Sequence, residues 1–89
     1  LLVDVRPAFF FRLGHIPGAF NLPLKTFDTG VRSFLRDLEG ARSSGRKIVI
    51  YCADKNCPDS LTTARKLARM GYSTSVYRGG WKEWRSAGL

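Results

Sequence analysis

The sequence predicts an α/β fold in three layers, with a mostly parallel central sheet flanked by helices on both faces. Three observations predict it. Leu1-Leu2-Val3-Asp4-Val5 and Lys47-Ile48-Val49-Ile50-Tyr51 are short apolar, β-branched runs closed by loop residues, the pattern of strands buried inside a parallel sheet. Two other segments carry apolar stripes at helical spacing. Strands and helices then alternate along the chain, as right-handed crossover units require.

The elements follow in order. Ala19-Phe20-Asn21-Leu22 and Ser75-Val76-Tyr77 are weaker strand candidates, which brings the sheet to three or four parallel neighbours. Phe27, Val31, Phe34, Leu35 and Leu38 make one apolar stripe, so an amphipathic helix is predicted there with Asp28 or Thr29 as its cap. Leu61, Ala64, Leu67 and Ala68 make a second stripe, predicting a helix from Pro58 to Met70 that Gly71 terminates in the left-handed conformation. Gly79-Gly80 reads as a hinge, followed by a last helix from Trp81 to Ala87 with Trp84 toward the core. Arg42 to Arg46 is a surface turn.

At 89 residues the chain has room for one core, so residues 1–89 are expected to form one domain. Leu1 is not a Met and already belongs to a strand, so a longer natural chain is expected. No apolar run approaches the roughly 20 residues that cross a bilayer, and no membrane partner is expected. The formal charge of +8 favours anionic ligands. Its basic residues are spread along the chain without a recognised nucleic-acid motif, so the expected role is a solvated surface and no nucleic-acid partner. Two cysteines are too few for a secreted disulfide scaffold, and their C-x-x-x-x-C spacing without a second ligand pair is a poor zinc signature. The expectation is a reducing, cytoplasmic setting and no metal.

In parallel sheets ligands sit at the carboxyl ends of strands beside helix amino ends, and the segment Tyr51 to Ser60 fits that description. Cys52 follows a strand, and Pro58 suits a first helical position. The intervening residues Ala53, Asp54, Lys55, Asn56 and Cys57, with Pro58, Asp59 and Ser60, then form a cup over a helix amino end. Unpaired N–H groups and the helix dipole stabilise an anion there, which lowers a thiol's pKa from about 8.5 toward neutrality. Cys52 is therefore the candidate nucleophile, weighed against the plain alternative of a small buried hydrophobe. Lys55 adds positive charge to the cup, whereas Asp54 and Asp59 oppose it; Asp59 is read as complementing the helix dipole. Cys57, at the expected N-cap, is either inert packing or a resolving thiol that closes a loop disulfide onto Cys52.

These residues also fall into blocks that together resemble the rhodanese homology domain, of the single-domain sulfurtransferase type, over nearly the whole chain. Asp4-Val5-Arg6 resembles its opening D-V-R, and Gly14-His15-Ile16-Pro17-Gly18-Ala19 its G-H-I-P-G-A signature. Tyr51-Cys52 resembles the strand end that carries the active-site cysteine. Ser60, Ala64, Leu67, Gly71-Tyr72, Gly79-Gly80, Trp84 and Gly88 keep the closing pattern. The resemblance implies transfer of sulfane sulfur: Cys52 takes sulfur from a small anionic donor such as thiosulfate or polysulfide, becomes a persulfide, and passes it to a thiol, a cyanide-like acceptor or a protein acceptor. It implies no cofactor, and additional amino-terminal structure in the natural protein. His15 is read as structural within its motif, Asp4 and Arg6 as a pair holding the loop, and Trp81 and Trp84 as core and rim.

The departures bear on activity. A common loop of the family has Gly three residues after the cysteine, then Arg and Ser at the fifth and sixth positions. Here Lys55 stands for the Gly, Ser60 lies eight residues after Cys52, and Asp59 occupies the place of the Arg. A longer loop resembles phosphatases and arsenate reductases of this fold, but the Arg that grips phosphate is missing. Two readings result: an active sulfurtransferase or persulfide carrier, and a regulatory module, fused to other domains, that senses redox or sulfur species through the Cys52–Cys57 loop.

Overall fold

Four strands run parallel in the order β2-β1-β3-β4, with β1 at Leu2–Asp4, β2 at Phe20–Asn21, β3 at Val49–Tyr51 and β4 at Ser75–Tyr77. This computed structural model describes residues 1–88, so Leu89, the last residue of the expected domain, lies outside the described residues. Helices flank the sheet: α1 at Ala8–Leu13, α2 at Phe27–Ser43, α3 at Asp59–Arg69 and α4 at Gly80–Ser86. Among the described residues, no helix is long and apolar enough to cross a membrane.

The register places the site. Asp4 lies opposite both Asn21 and Tyr51, and Tyr51 opposite Tyr77, so the strands end at one level. Val5, Leu22 and Cys52, the residues just beyond, are all buried and belong to one core cluster with Val3, Ile50, Leu38 and Leu67. The sheet edge that carries Cys52 is thereby anchored in the core.

Several expectations need correction. Helix α2 has neither Asp28 nor Thr29 as its cap, because a 3₁₀ turn at Leu24–Thr26 feeds directly into it and Thr26 stands at the N-cap position. Thr29 Oγ1 instead donates to the Thr26 carbonyl (3.1 Å) and Asp28 lies in the first turn. Leu35 is exposed, while Phe34 packs edge-on against Phe20. In α3 the buried face is Ser60, Thr63 and Leu67; Ala64 is partly buried, and Leu61 and Ala68 face solvent. Thr63 can be buried because its hydroxyl donates to the Asp59 carbonyl within the helix (2.9 Å). Helix α3 starts at Asp59, one residue later than expected, and Gly71 does take φ +94° after it.

Helix α1 was not predicted. Three successive phenylalanines carry no helical period, and none of its residues is buried. The chain turns there because the Pro7 carbonyl accepts the N–H groups of Phe10 and Phe11. His15 closes the end, its Nδ1 2.7 Å from the Phe11 carbonyl and its ring stacked on Phe11 at 3.7 Å, which is the structural role expected of it.

Candidate functional site

The site is built on Cys52, the first residue beyond β3, which is 4% exposed. Its carbonyl accepts the Trp81 N–H (3.0 Å) and the Ala53 carbonyl accepts that of Lys82 (2.9 Å), so the start of α4 is clamped to the loop. Gly79-Gly80 is therefore a packed joint and not a hinge: Gly80 takes φ +63°, and a Cβ there would run into the Cys52 carbonyl oxygen. Gly80→Ala is expected to cost about 1–2 kcal/mol from the left-handed backbone alone. Because its new neighbour is backbone, the loop must also shift. A lower urea midpoint accompanied by slower closure of the loop disulfide would show both effects.

The loop folds back at Asp54. Its Oδ1 accepts the Asn56 N–H (2.9 Å) and its carbonyl accepts that of Cys57 (3.2 Å). This turn brings the Cys52 and Cys57 Cα atoms to 6.2 Å, and the two sulfurs are joined as a disulfide. Cys57 is thus neither free nor merely packing, although it does lie partly buried against the core. Pro58, rather than Cys57, occupies the N-cap position of α3. Asp54 uses up two N–H groups of the expected cup. Among the described residues, those of Ala53, Asp54 and Lys55, and of Asp59, Ser60 and Leu61 in the first turn of α3, have no protein acceptor.

A cavity of about 490 Å³ opens over the disulfide. The predicted residues divide around it. Cys52, Ala53, Asp54, Cys57 and Asp59 line it, whereas Lys55, Asn56, Pro58 and Ser60 line smaller neighbouring depressions. Lys55 therefore does not supply the cavity's positive charge. Lys82 and Arg85 of α4 line it instead, with Phe10 and Leu13 of α1 and Trp81 as an apolar wall. Trp81, not Trp84, shapes the site; it packs over Gly14, where a Cβ would lie 2.8 Å from its ring. Residue spacing carries no sign of this lining, since its approach depends on α4 packing over the end of β3.

Arg6 also lines the cavity, but its guanidinium is engaged. It donates through Nε and Nη2 to both oxygens of Asp4 (2.8–3.2 Å) and through Nη2 to the Gly14 carbonyl (2.6 Å), and it lies over the Trp81 ring at 5.3 Å. The Asp4–Arg6 pair expected from the sequence exists and is buried. The pair was expected from the D-V-R resemblance; it stands at the site because β1 and β3 are neighbours, Asp4 lying opposite Tyr51 and Arg6 lining the cavity with Cys52. Tyr51 completes the frame, accepting the Ile16 N–H (3.1 Å). Burial, and then its hydrogen bond to Asp4, pushes its hydroxyl pKa well above the ordinary tyrosine range, so the group keeps its proton and serves as a fixed donor.

Comparisons with known proteins agree with this geometry. The chain is 37% identical over 91 residues to the HTH-type transcriptional regulator Rv0324 of Mycobacterium tuberculosis (strain ATCC 25618 / H37Rv), a match covering 99% of this chain but 35% of that protein. In structure it is similar to the BH2092 protein from Bacillus halodurans, with TM-score 0.75 and 27% identity, over 99% of this chain and 59% of that one. It is also similar to the N-terminal domain of a protein named as ATP/GTP binding from Clostridium difficile 630, with TM-score 0.66 and 25% identity, over 99% of this chain and 88% of that one. Residues 1–87 match the model of the Rhodanese-like domain. A parallel sheet carrying Cys52 at a strand end above a helix start, matched along almost its full length, shows that the chain belongs to the rhodanese-like domain family.

Proposed function

We propose that this domain is a sulfane-sulfur-responsive thiol switch, in which Cys52 accepts sulfur as a persulfide and Cys57 resolves it to the loop disulfide. The observation that carries this reading is the bond between Cys52 and Cys57 across the floor of the cavity. In the first step the Cys52 thiolate attacks the outer sulfur of thiosulfate or polysulfide. A sulfur–sulfur bond forms, and sulfite or the shortened polysulfide leaves. In the second step the Cys57 thiolate attacks Cys52 Sγ, the persulfide bond breaks, and its outer sulfur departs as hydrosulfide. Two thiols are oxidised and one sulfane sulfur is reduced to sulfide, so the electrons balance. A dithiol reductant returns the loop to its starting state.

Two features favour resolution over onward transfer. Groups joined by a short linker meet at an effective concentration of about millimolar, which disadvantages a dilute external acceptor. Asp54 and Asp59 also face the cavity and repel the negative terminal sulfur, shortening the life of the persulfide. The relative named as a transcriptional regulator supports a signal-receiving role, with this domain as one part of a longer protein. Sulfur transfer with turnover is the second reading. It is favoured by Lys82 and Arg85 on the cavity wall, which attract anionic donors, and by a cavity large enough for an acceptor thiol to reach Cys52.

Intact mass spectrometry of the reduced chain after brief exposure to polysulfide tests the switch. The wild type is expected to lose two hydrogens per chain as one sulfide is released, whereas Cys57→Ser is expected to gain one sulfur atom that cyanide removes as thiocyanate. A wild type that holds the extra sulfur and delivers it to cyanide over many turnovers would replace the switch with sulfur transfer.

A further inference from the structure

We propose that the reduced loop is a binding site for a thiophilic divalent cation of the zinc or cadmium class, held by Cys52 Sγ, Cys57 Sγ and a carboxylate oxygen of Asp59. The ligand atoms of these three residues all lie within 4.8 Å of one another. Around a tetrahedral ion with metal–sulfur bonds near 2.3 Å and metal–oxygen bonds near 2.0–2.2 Å, ligand atoms stand about 3.5–3.8 Å apart. The three residues are therefore already gathered on the scale of one coordination sphere. Once the disulfide is reduced, side-chain rotation suffices to open the two sulfurs to that separation, because the 6.2 Å between their Cα atoms leaves room for an ion.

The donor chemistry points the same way. Two thiolates with one carboxylate suit zinc and softer ions, and not magnesium or calcium. Asp59 puts a negative charge where an anionic donor must bind, and among the described residues it makes no ion pair. A cation gives that carboxylate a partner. Two thiolates and Asp59 carry three negative charges, and a divalent ion leaves one, which Lys82 and Arg85 on the opposite wall offset. Arg6 does not compete for the ligands, because Asp4 already neutralises it.

The three protein ligands leave a fourth position, and it faces the cavity, as in open zinc sites that admit water or an exogenous ligand. Metal binding and disulfide formation use the same two sulfurs and exclude each other. An ion in the site would hold the loop reduced, and oxidation would expel it. This inference needs only the two thiols and Asp59, and stands or falls separately from the sulfur reaction.

Titration of the reduced chain with cadmium chloride, followed by the ultraviolet thiolate-to-metal charge-transfer band, tests it. The expected result is one ion per chain, no band in the disulfide form, and displacement by zinc. Loss of a polar partner in the outer shell of a metal site typically weakens binding 10–100-fold, so Asp59→Asn, which removes a direct ligand, is expected to weaken it by about tenfold or more. Cys57→Ser is expected to abolish the band, and far-ultraviolet circular dichroism checks that both variants fold. No band in the reduced chain, equal binding by the disulfide form, unchanged affinity in Asp59→Asn, or one ion shared by two chains would each overturn the proposal. Mass spectrometry of the sulfur reaction without metal reports on the switch alone, so the two failures are distinguishable.

Discussion

Replacing Cys52 by alanine is expected to abolish sulfur uptake and loop oxidation together, because both steps of the switch act at Cys52 Sγ. Cys57→Ser should separate them, keeping uptake and losing oxidation. Both variants lose oxidation, and the difference in uptake between them is what assigns the roles. The substitution also opens the loop's covalent link. For a loop this short, chain entropy attributes about 2 kcal/mol to the closed disulfide, so oxidised wild type is expected to be more stable than Cys52→Ala by about that amount. Reduced wild type should differ from Cys52→Ala by less, since the change then removes only a small buried side chain. Mass spectrometry after polysulfide treatment and urea unfolding under both redox conditions provide the measurements. If Cys52→Ala still gains sulfur, the acceptor is Cys57 and the order of attack is reversed.

The sheet and the position of Cys52 at a strand end were legible in the sequence because both rest on local signals. Buried parallel strands are short and apolar, and a cysteine at the end of one, followed by proline and a helical stripe, can be placed without tertiary information. All four strands lie within the segments predicted for them. What was not legible depended on packing between distant segments. The apolar stripe of α3 placed Leu67 and Ala64 inward, as found, but missed Ser60 and Thr63, which are small enough to pack, and Thr63 satisfies its hydroxyl within its own helix. Lys55 looked like the cavity's cation because it is near Cys52 in sequence, yet past the turn at Asp54 it lines a neighbouring depression and α4 brings Lys82 and Arg85 to the cavity instead. Cys57 could be read either as packing or as a resolving thiol, because its approach to Cys52 depends on the turn at Asp54, which brings the two into one disulfide while Cys57 also packs against the core.

Asp4→Ala is expected to give the largest loss of stability, although Asp4 touches none of the reacting atoms. Asp4 is completely buried and Arg6 is 5% exposed, so removing the carboxylate leaves a guanidinium in the core edge with the Gly14 carbonyl as its remaining acceptor. The Arg6 N–H loses its acceptor as well, since it donates to Asp4 Oδ1 at 2.9 Å. Breaking a buried ion pair from one side costs about 3–5 kcal/mol, against a total stability of about 5–15 kcal/mol for an ordinary domain. At about 4–8 °C per kcal/mol for a domain of this size, the melting temperature should fall by about 12 °C or more. The loss should reach the site, because Arg6 holds the Gly14 segment against Trp81 and Trp81 walls the cavity. The pair is destabilising to break but not necessarily stabilising to have, since a buried ion pair is often matched by apolar side chains. The double variant Asp4→Leu with Arg6→Met is therefore expected to recover part of the lost melting temperature while remaining slower than wild type to form the loop disulfide. Recovery of both properties would mean that Asp4 and Arg6 serve the fold alone, whereas recovery of stability without oxidation rate would assign them to positioning the cavity wall.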